Sequence, residues 1–466
     1  MRVVLADLKG RNGFVSKDTV VGGYGSRLQP FTRVTRVISH LKHGFLDVPS
    51  VQMAYLAAVC AAEGHEVLWT RGSPAEGDVA IVLSSLVDHR NETEWADEMR
   101  KRGIPVGFVG LAASKLPQLY EGHADFVISG EPEEAVQRLA RGEQLRGLCA
   151  SEPIADLDSL PFPRWDLVTE KTRRRLAIPF SGRPLGGGFP LLASRSCPEF
   201  CTYCPHRVLA PYRNRSVGNV ADELELLCDR YSTPYVIFRD PLFTHDRTRC
   251  EELCDEIAAR GLQLRIECET RLDRLDGPLI DRLYEAGLRT VSFGVESVSS
   301  ETLRKVGRRP TPEAHQRAVI EHCSQRGIVT AGFYVLGFLE DDRESITATV
   351  DYAIDLGSTF AQFKLLTPYP ATPLWKKMAP LVTEQDWERF DGFTPVFKHP
   401  RLSAQELRHM LGSGYTRFYM RPSYLTNYLR IRNRRVLDLI GRLDRMVNEH
   451  QMRDELAVPE SMVGTC

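Results

Sequence analysis

Two series of short apolar runs, each alternating with helix-like stretches, constrain the fold of this 466-residue chain more than any other feature. Such alternation is typical of a parallel sheet covered by helices, and it predicts an α/β fold. The first series ends near residue 150. Its strands are predicted at 2–6, 66–70, 79–84, 106–109 and 126–128, with a helix from about 51 to 63.

The second series begins after a Pro- and Gly-rich stretch at 151–188, which is typical of a linker. Its strands are predicted at 190–194, 235–240, 264–269, 290–295, 330–337 and 361–366. Because helical segments lie between these strands, we predict a partial or full parallel barrel over residues 189–378. Residues 379–466 are helix-like. The prediction is therefore a Rossmann-like domain at 1–150, the linker, the barrel, and a helical carboxyl-terminal domain.

The loop after the first strand contains the sequence GGYGSR at 22–27. It is longer than a strand-to-helix turn requires. Long loops in compact domains usually bind a ligand or are disordered, so the sequence predicts one of these two roles for this segment.

The overall charge excludes a general attraction to nucleic acid or to an anionic membrane. The chain has 60 Lys and Arg against 61 Asp and Glu, which leaves a formal net charge of -1. A basic stretch at 430–435 is interpreted as a solvated helix face, with RNA binding as a less favoured alternative. No apolar run reaches 18 residues and no signal peptide is evident. We expect a cytoplasmic protein without membrane or nucleic-acid partners.

Three of the 11 cysteines have a spacing that composition does not explain. Cys197, Cys201 and Cys204 form a Cys-x3-Cys-x2-Cys loop, and chance would place only roughly 0.006 such triplets in the chain. Three thiolates on one short loop do not complete a tetrahedral zinc site, although His206 is near enough to be an alternative fourth ligand. An iron–sulfur cluster with one open iron fits the triplet better.

This loop resembles the signature of the radical S-adenosylmethionine (SAM) enzymes. Tyr203 matches the aromatic residue that precedes the third cysteine in that signature. The resemblance implies that the three cysteines ligate a four-iron four-sulfur (4Fe-4S) cluster, whose open iron takes the amino and carboxylate groups of SAM. It also implies reductive cleavage of SAM to a 5′-deoxyadenosyl radical, and an electron donor such as flavodoxin or ferredoxin.

Several later strand ends look like the SAM-binding strands of the same family. By this resemblance the SAM-binding candidates are Glu269, Arg271, Glu296, Ser297, Val335 and Gly337. Charged residues at the carboxyl ends of parallel strands reach the mouth of a barrel, but ion pairs between strands are the alternative interpretation for Glu269, Arg271 and Glu296. Asp240 and Tyr369 resemble the active-site rim and are the catalytic candidates; a loop-stabilising hydrogen bond explains each of them equally well.

The leading 150 residues resemble the cobalamin-binding domain that precedes many radical SAM barrels. The positions that carry this resemblance, and that it implies as cobalamin contacts, are Ser84, Leu86, Gly110, Ser129, Gly130 and Glu131. Small residues suit a nucleotide tail that approaches the backbone closely. Many such domains have a cobalt-ligating histidine where this chain has Lys9, and a protonated lysine cannot ligate. The cofactor should therefore bind without a lower histidine. The alternative is a flavodoxin-like domain that has lost cobalamin binding.

Together these resemblances imply a cobalamin-dependent radical SAM methyltransferase that acts on an unactivated carbon of a small-molecule substrate. Two cofactors would then face one cavity, which places the leading domain over the barrel mouth. A cyclase or rearrangement enzyme with the same cofactors is the first alternative. A cobalamin-binding sensor without chemistry is the second.

Overall fold

Two six-stranded parallel sheets form the framework of the protein. The structure is a computed structural model, and it describes residues 1–11, 15–17, 23–27, 48–168, 172, 188–231 and 233–424. Residues 169–171 and 173–187 of the predicted linker lie outside the described residues. The chain from residue 425 onward, which includes the basic stretch at 430–435, also lies outside them.

The strands of the leading sheet are β1 (Arg2–Ala6), β4 (Glu66–Thr70), β5 (Val79–Leu83), β6 (Val106–Val109), β7 (Phe126–Gly130) and β8 (Gly147–Ser151). A hairpin of β2 (Val15–Ser16) and β3 (Ser26–Arg27) follows β1. The strand order in the sheet is β4-β1-β5-β6-β7-β8, with every neighbouring pair parallel. The helices are α1 (Val51–Ala62), α2 (His89–Lys101), α3 (Leu111–Lys115) and α4 (Glu133–Ala140). β5 and β6 are buried along their whole length, as central parallel strands between helices should be.

The strands of the second sheet are β9 (Phe189–Leu191), β12 (Tyr235–Phe238), β13 (Arg265–Thr270), β14 (Leu288–Glu296), β15 (Val329–Leu336) and β16 (Phe360–Leu365). An antiparallel hairpin of β10 (Ser194–Arg195) and β11 (Arg213–Asn214) follows β9. The strand order in the sheet is β16-β15-β14-β13-β12-β9, and all neighbouring pairs are parallel. Among the described residues β9 and β16 do not pair with each other. The parallel sheets confirm the predicted α/β fold, and in the described residues the second sheet is open rather than a closed barrel.

Helices alternate with the strands of the second sheet. They are α5 (Val217–Tyr231), α6 (Arg247–Ala259), α7 (Gly277–Glu285), α8 (Ser300–Lys305), α9 (Glu313–Gln325), α10 (Arg343–Leu356), α11 (Pro373–Met378) and α12 (Ala404–Tyr419). Short 3₁₀ turns lie at Pro117–Leu119, Glu121–His123, Leu157–Ser159, Trp165–Leu167, Pro205–Arg207, Leu272–Arg274, Ala379–Leu381 and Trp387–Arg389. Within the part of the chain that is described, no helix combines the length and apolar character needed to cross a membrane.

All eleven predicted strands are present, with ends shifted by at most a few residues. The prediction missed β8, because this edge strand is mostly exposed and has no apolar run. It also missed the two short hairpins. The first described part of the predicted linker is not a free connection, because Leu157, Leu160 and Trp165 are buried.

One apolar core joins the two sheets. Trp165, in the predicted linker, contacts Trp69 of β4 with ring centroids 6.1 Å apart, and Phe189 of β9 at 6.2 Å. The same buried cluster contains residues from both sheets, such as Leu5 of β1 and Phe238 of β12. Burial of apolar surface is the dominant favourable term in domain association, so the two sheets are held in one arrangement.

Candidate functional site

The cysteine loop is held at both ends and in its middle. The hairpin β10–β11 closes it, with Arg195 opposite Arg213. The loop begins at Ser196, which has a left-handed backbone with φ of 69°. The amide of Thr202 donates to the carbonyl of Val306 at the end of α8, and its carbonyl accepts from the amide of Leu374 in α11, each at 2.9 Å. The thiols therefore lie on a loop with a defined backbone.

The three thiols suit a group larger than a single metal ion. Cys197, Cys201 and Cys204 are free and close enough that the charge of one thiolate raises the pKa of another. Burial is the larger cause, and it raises the pKa of Cys204 to about 12. Within the described residues no three His, Cys, Asp or Glu side chains converge as one metal ion would require. The donor set fits a cluster whose ligands bind separate irons.

A buried charge group lies beside Cys201. The Arg308 guanidinium donates a hydrogen bond to the carbonyl of Gly294, and its charge interacts with the Cys201 thiol. It is 3.6 Å from Glu296 Oε1. The Tyr203 side chain interacts with the same carboxylate, and burial raises the pKa of Glu296. A polar group of both signs thus faces the cysteine loop.

Local backbone geometry creates this group. Glu296 ends β14 with φ of 68°, and the register with β15 shifts between Gly294 and Glu296. A side chain at position 294 would collide with Glu296 Oε1. Positive φ at a non-glycine residue is costly and is concentrated at functional sites. The bulge therefore aims the carboxylate at Tyr203 and Arg308.

Glu269 forms the ion pair between neighbouring strands that was considered as the alternative, whereas Arg271 pairs with carboxylates outside the sheet. Glu269 accepts from Arg239 at 2.7 Å. Arg271 binds Asp273 through two hydrogen bonds of 2.8 and 3.0 Å, and its Nη1 is 3.5 Å from Glu199 of the cysteine loop. Arg271 therefore connects the end of β13 to the loop that carries the thiols.

The other four candidates of the second sheet have different surroundings. Asp240 is buried and accepts hydrogen bonds from the amide of Ala193 and the hydroxyl of Ser194, at 3.0 and 2.5 Å. Ser297 is buried and accepts from the amide of Ser299. Val335 packs against an apolar cluster that contains Phe338. Gly337 has φ of 83°, and its amide donates to Asp341. Asp240 follows β12, and the other three lie at the carboxyl ends of β14 and β15, as predicted.

Tyr369 lies at the contact between the two sheets. It stacks on Tyr24 of the loop after β1, with ring centroids 5.3 Å apart and planes 10° apart. The Tyr24 hydroxyl donates to the carbonyl of Pro370 at 2.8 Å, and the Tyr24 carbonyl accepts from the amide of Leu86. The described part of the GGYGSR segment therefore binds the protein itself.

The cobalamin candidates line the carboxyl edge of the leading sheet. Ser84 Oγ accepts from the amide of Ala113 at 3.0 Å, and Leu86 is buried. Lys9 is partly buried, and its carbonyl accepts from Asn91. Gly110 and Gly130, with φ of 111° and 116°, leave the ends of β6 and β7 without side chains, and Ser129 between them is partly buried. Bare backbone at this edge fits the close approach of a nucleotide tail.

The same edge meets the cysteine loop. Glu131, just after β7, is 2.6 Å from Arg213 and 3.8 Å from Arg195. A narrow crevice, partly open to solvent, lies between the two regions. Its lining comes from both sides: Leu111, Glu131, Ser196, Pro205, His206, Leu209 and Ala210. One crevice therefore borders both the leading sheet and the loop with the three thiols.

Comparison with known proteins identifies the second sheet. The family model described as "Radical SAM superfamily" matches residues 191–353, which include the three cysteines, Tyr203 and all the strand-end candidates from Asp240 to Gly337. Residues 191–353 form a radical SAM domain. The matched residues stop before Tyr369 and do not include the leading sheet.

Several known proteins match more of this chain than the radical SAM domain alone. An uncharacterized methyltransferase of Pyrococcus horikoshii is 28% identical over 65% of this chain and 68% of its own length. An anaerobic magnesium-protoporphyrin IX monomethyl ester cyclase of Rubrivivax gelatinosus is 29% identical over 59% of this chain and 49% of its own length. The radical SAM methyltransferase TsrM of Kitasatospora setae, solved with cobalamin and a 4Fe-4S cluster, superposes with a TM-score of 0.61 at 17% identity, covering 89% of this chain and 88% of that one. The last match shows a common fold over both sheets.

Sequence reasoning missed three residues of the site. Arg308 follows α8 in a loop without a motif, and Tyr24 is part of a loop without a recognisable function. Glu133, which is 2.8 Å from Arg195 of the hairpin, also belongs to no motif. The one local signal was the glycine two positions before Glu296, which marks a close approach of side chains.

Proposed function

We propose that this protein is a cobalamin-dependent radical SAM methyltransferase that transfers a methyl group to a carbon atom of a small-molecule substrate. The observation that carries the proposal is the crevice between the carboxyl edge of the leading sheet and the cysteine loop. A ligand at that edge and a ligand at the thiols would face each other across it. The methyltransferase names of two relatives and the shared fold with TsrM support the same activity.

In this proposal the residues of the second sheet hold the cluster and SAM. Cys197, Cys201 and Cys204 ligate the cluster, which supplies one-electron reduction of SAM when it is bound. Arg308 and Glu296 offer opposite charges for the carboxylate and for the amino or hydroxyl groups of SAM. Arg271 holds Glu199, and through it the cysteine loop, against β13. The electron would come from a donor such as flavodoxin or ferredoxin.

We interpret the two catalytic candidates differently. Both carboxylate oxygens of Asp240 accept hydrogen bonds from the segment at the start of β10, so we assign Asp240 to positioning the hairpin. Tyr369 lies where the two regions meet, stacked on Tyr24, and we assign it to the wall that separates this contact from solvent. Exclusion of water is needed because a radical would otherwise react before it reaches the substrate.

Cobalamin should bind in the base-off form, with no protein histidine on the lower face of cobalt. The segment after β1 offers Lys9, and the segment from Met1 to Arg11 contains no histidine. A protonated lysine has no lone pair for cobalt. The absorption spectrum of the full-length protein with hydroxocobalamin tests this expectation. A spectrum with a histidine nitrogen on cobalt would contradict it, and absence of binding would support the flavodoxin-like alternative.

The stoichiometry of SAM products tests the transfer itself. Methyl transfer consumes two SAM molecules per turnover, one giving 5′-deoxyadenosine and the other giving S-adenosylhomocysteine, so their ratio should approach one. The measurement uses anaerobic protein with cobalamin, reductant, candidate substrates and methyl-deuterated SAM, followed by mass spectrometry. The product should gain one labelled methyl group. A ratio far from one with saturating substrate would overturn the assignment.

The second candidate is a cyclase with the same cofactors, because one relative is named as a cyclase. This chain matches only about half of that relative's length. The same experiment separates the two functions. A cyclase would form 5′-deoxyadenosine without matching S-adenosylhomocysteine, and its product would carry no label.

A further inference from the structure

The hairpin that closes the cysteine loop carries two arginines on directly opposed positions. Arg195 of β10 pairs with Arg213 of β11 in the strand register. Like charges directly opposite each other destabilise a strand pair. Arg195 is only 2% exposed, so water does little to screen this repulsion. The hairpin therefore depends on carboxylates from elsewhere in the protein.

Both carboxylates come from the leading region. Glu133 Oε1 is 2.8 Å from Arg195 Nη2, and Glu131 Oε1 is 2.6 Å from Arg213 Nη2. Glu131 directly follows β7, and Glu133 begins α4. Gln52 of α1 donates to Glu133 at 2.6 Å. Two glutamates thus neutralise two arginines in a contact that is nearly closed to solvent.

Arg195 precedes Cys197, the first cysteine of the loop, by two residues. Arg195 is followed by Ser196, whose left-handed backbone turns the chain into the loop and whose hydroxyl donates to the carbonyl of His206 at 3.2 Å. A shift of Arg195 would therefore move the start of the loop directly. Breaking one partner of a buried ion pair is strongly destabilising, because it leaves a buried charge without compensation.

We propose that Glu131 and Glu133 are positioning residues for the cysteine loop, so that the loop holds its cluster-binding conformation only while the leading region is docked. Glu131, which family resemblance suggested as a cobalamin contact, is thereby assigned to the loop. The inference rests on the radical SAM domain at residues 191–353 and does not require cobalamin.

Hydrogen–deuterium exchange of the full-length protein without cluster tests the proposal. In Glu133→Gln and in Glu131→Gln, amides of segment 194–214 should exchange at least about ten-fold faster than in the wild type, because local opening then competes with a weakened contact. After reconstitution, both variants should lose iron to a chelator faster by a similar factor. Wild-type exchange and wild-type iron release in both folded variants would overturn the proposal.

Two control variants separate positioning from general destabilisation. Glu134→Gln changes the neighbouring residue, which pairs with Arg138 on its own helix, and should have no effect on segment 194–214. Glu267→Gln changes a carboxylate that is equally buried but accepts a hydrogen bond from the hydroxyl of Tyr235 within the second region. It should lower thermal stability and leave the exchange of segment 194–214 within two-fold of the wild type. Equal acceleration by Glu267→Gln would contradict a specific role of the leading region.

A double variant guards against simple misfolding. Arg195→Gln combined with Glu133→Gln removes both charges of one pair, which leaves Glu131 with Arg213. Replacing both partners avoids the unpaired buried charge. Exchange of segment 194–214 should therefore return toward the wild-type rate. A double variant that exchanges faster than Glu133→Gln alone would count against the charge argument.

Discussion

Replacing Cys201 with alanine is expected to abolish cluster binding and all formation of 5′-deoxyadenosine. The two remaining thiols of the loop cannot hold a cluster with one open iron for SAM. No other cysteine of the described chain lies on this loop, so a substitute ligand is absent there. Iron analysis, the absorption spectrum of the anaerobically purified variant, and chromatography of the SAM products measure the loss.

Cys228→Ala is the matched control for this variant. Cys228 is also a free, partly buried cysteine, but it lies in the last turn of α5 and its thiol donates to the carbonyl of Gln263. Its replacement should leave the iron content and SAM cleavage unchanged. Normal iron and normal SAM cleavage in Cys201→Ala would refute the role of this loop.

Replacing Arg308 with glutamine should weaken SAM binding and slow SAM cleavage by about 100-fold or more. Arg308 contacts Cys201 and Glu296, and its removal leaves the buried Glu296 carboxylate without its nearest guanidinium. Loss of one partner of a buried ion pair costs about 3–5 kcal/mol. Part of that cost should appear as lower stability, because Glu296 is buried even without SAM.

The binding measurement is equilibrium titration of the reconstituted variant with SAM, followed by cleavage assays with reductant. Arg304→Gln is the control, since Arg304 lies on the exposed side of α8, only four residues away. Arg308→Lys keeps the charge but loses the planar fork of the guanidinium, so we expect it to fall between the wild type and Arg308→Gln. Unchanged SAM affinity in Arg308→Gln would show that the group beside Cys201 does not bind SAM.

Most of the framework could be predicted from sequence because its signals are local. The strand at 79–83 is an uninterrupted apolar run, and each strand of the second sheet is a similar run between helices. The cysteine triplet is local as well, since its spacing within eight residues marks a cluster loop without any knowledge of the fold. Edge strand β8 was not predicted because most of its residues face solvent and show no periodic apolar pattern.

The sequence alone therefore determined two parallel sheets, their order along the chain, and the loop that carries the three thiols. Only the tertiary structure decided which groups surround that loop. Glu133 meets Arg195 across 62 residues, and Tyr24 meets Pro370 across 346. Neither contact leaves a periodic or spacing signal, because each arises when the two sheets pack together. That packing follows from the total apolar surface buried by both sheets, which no single segment of the sequence encodes.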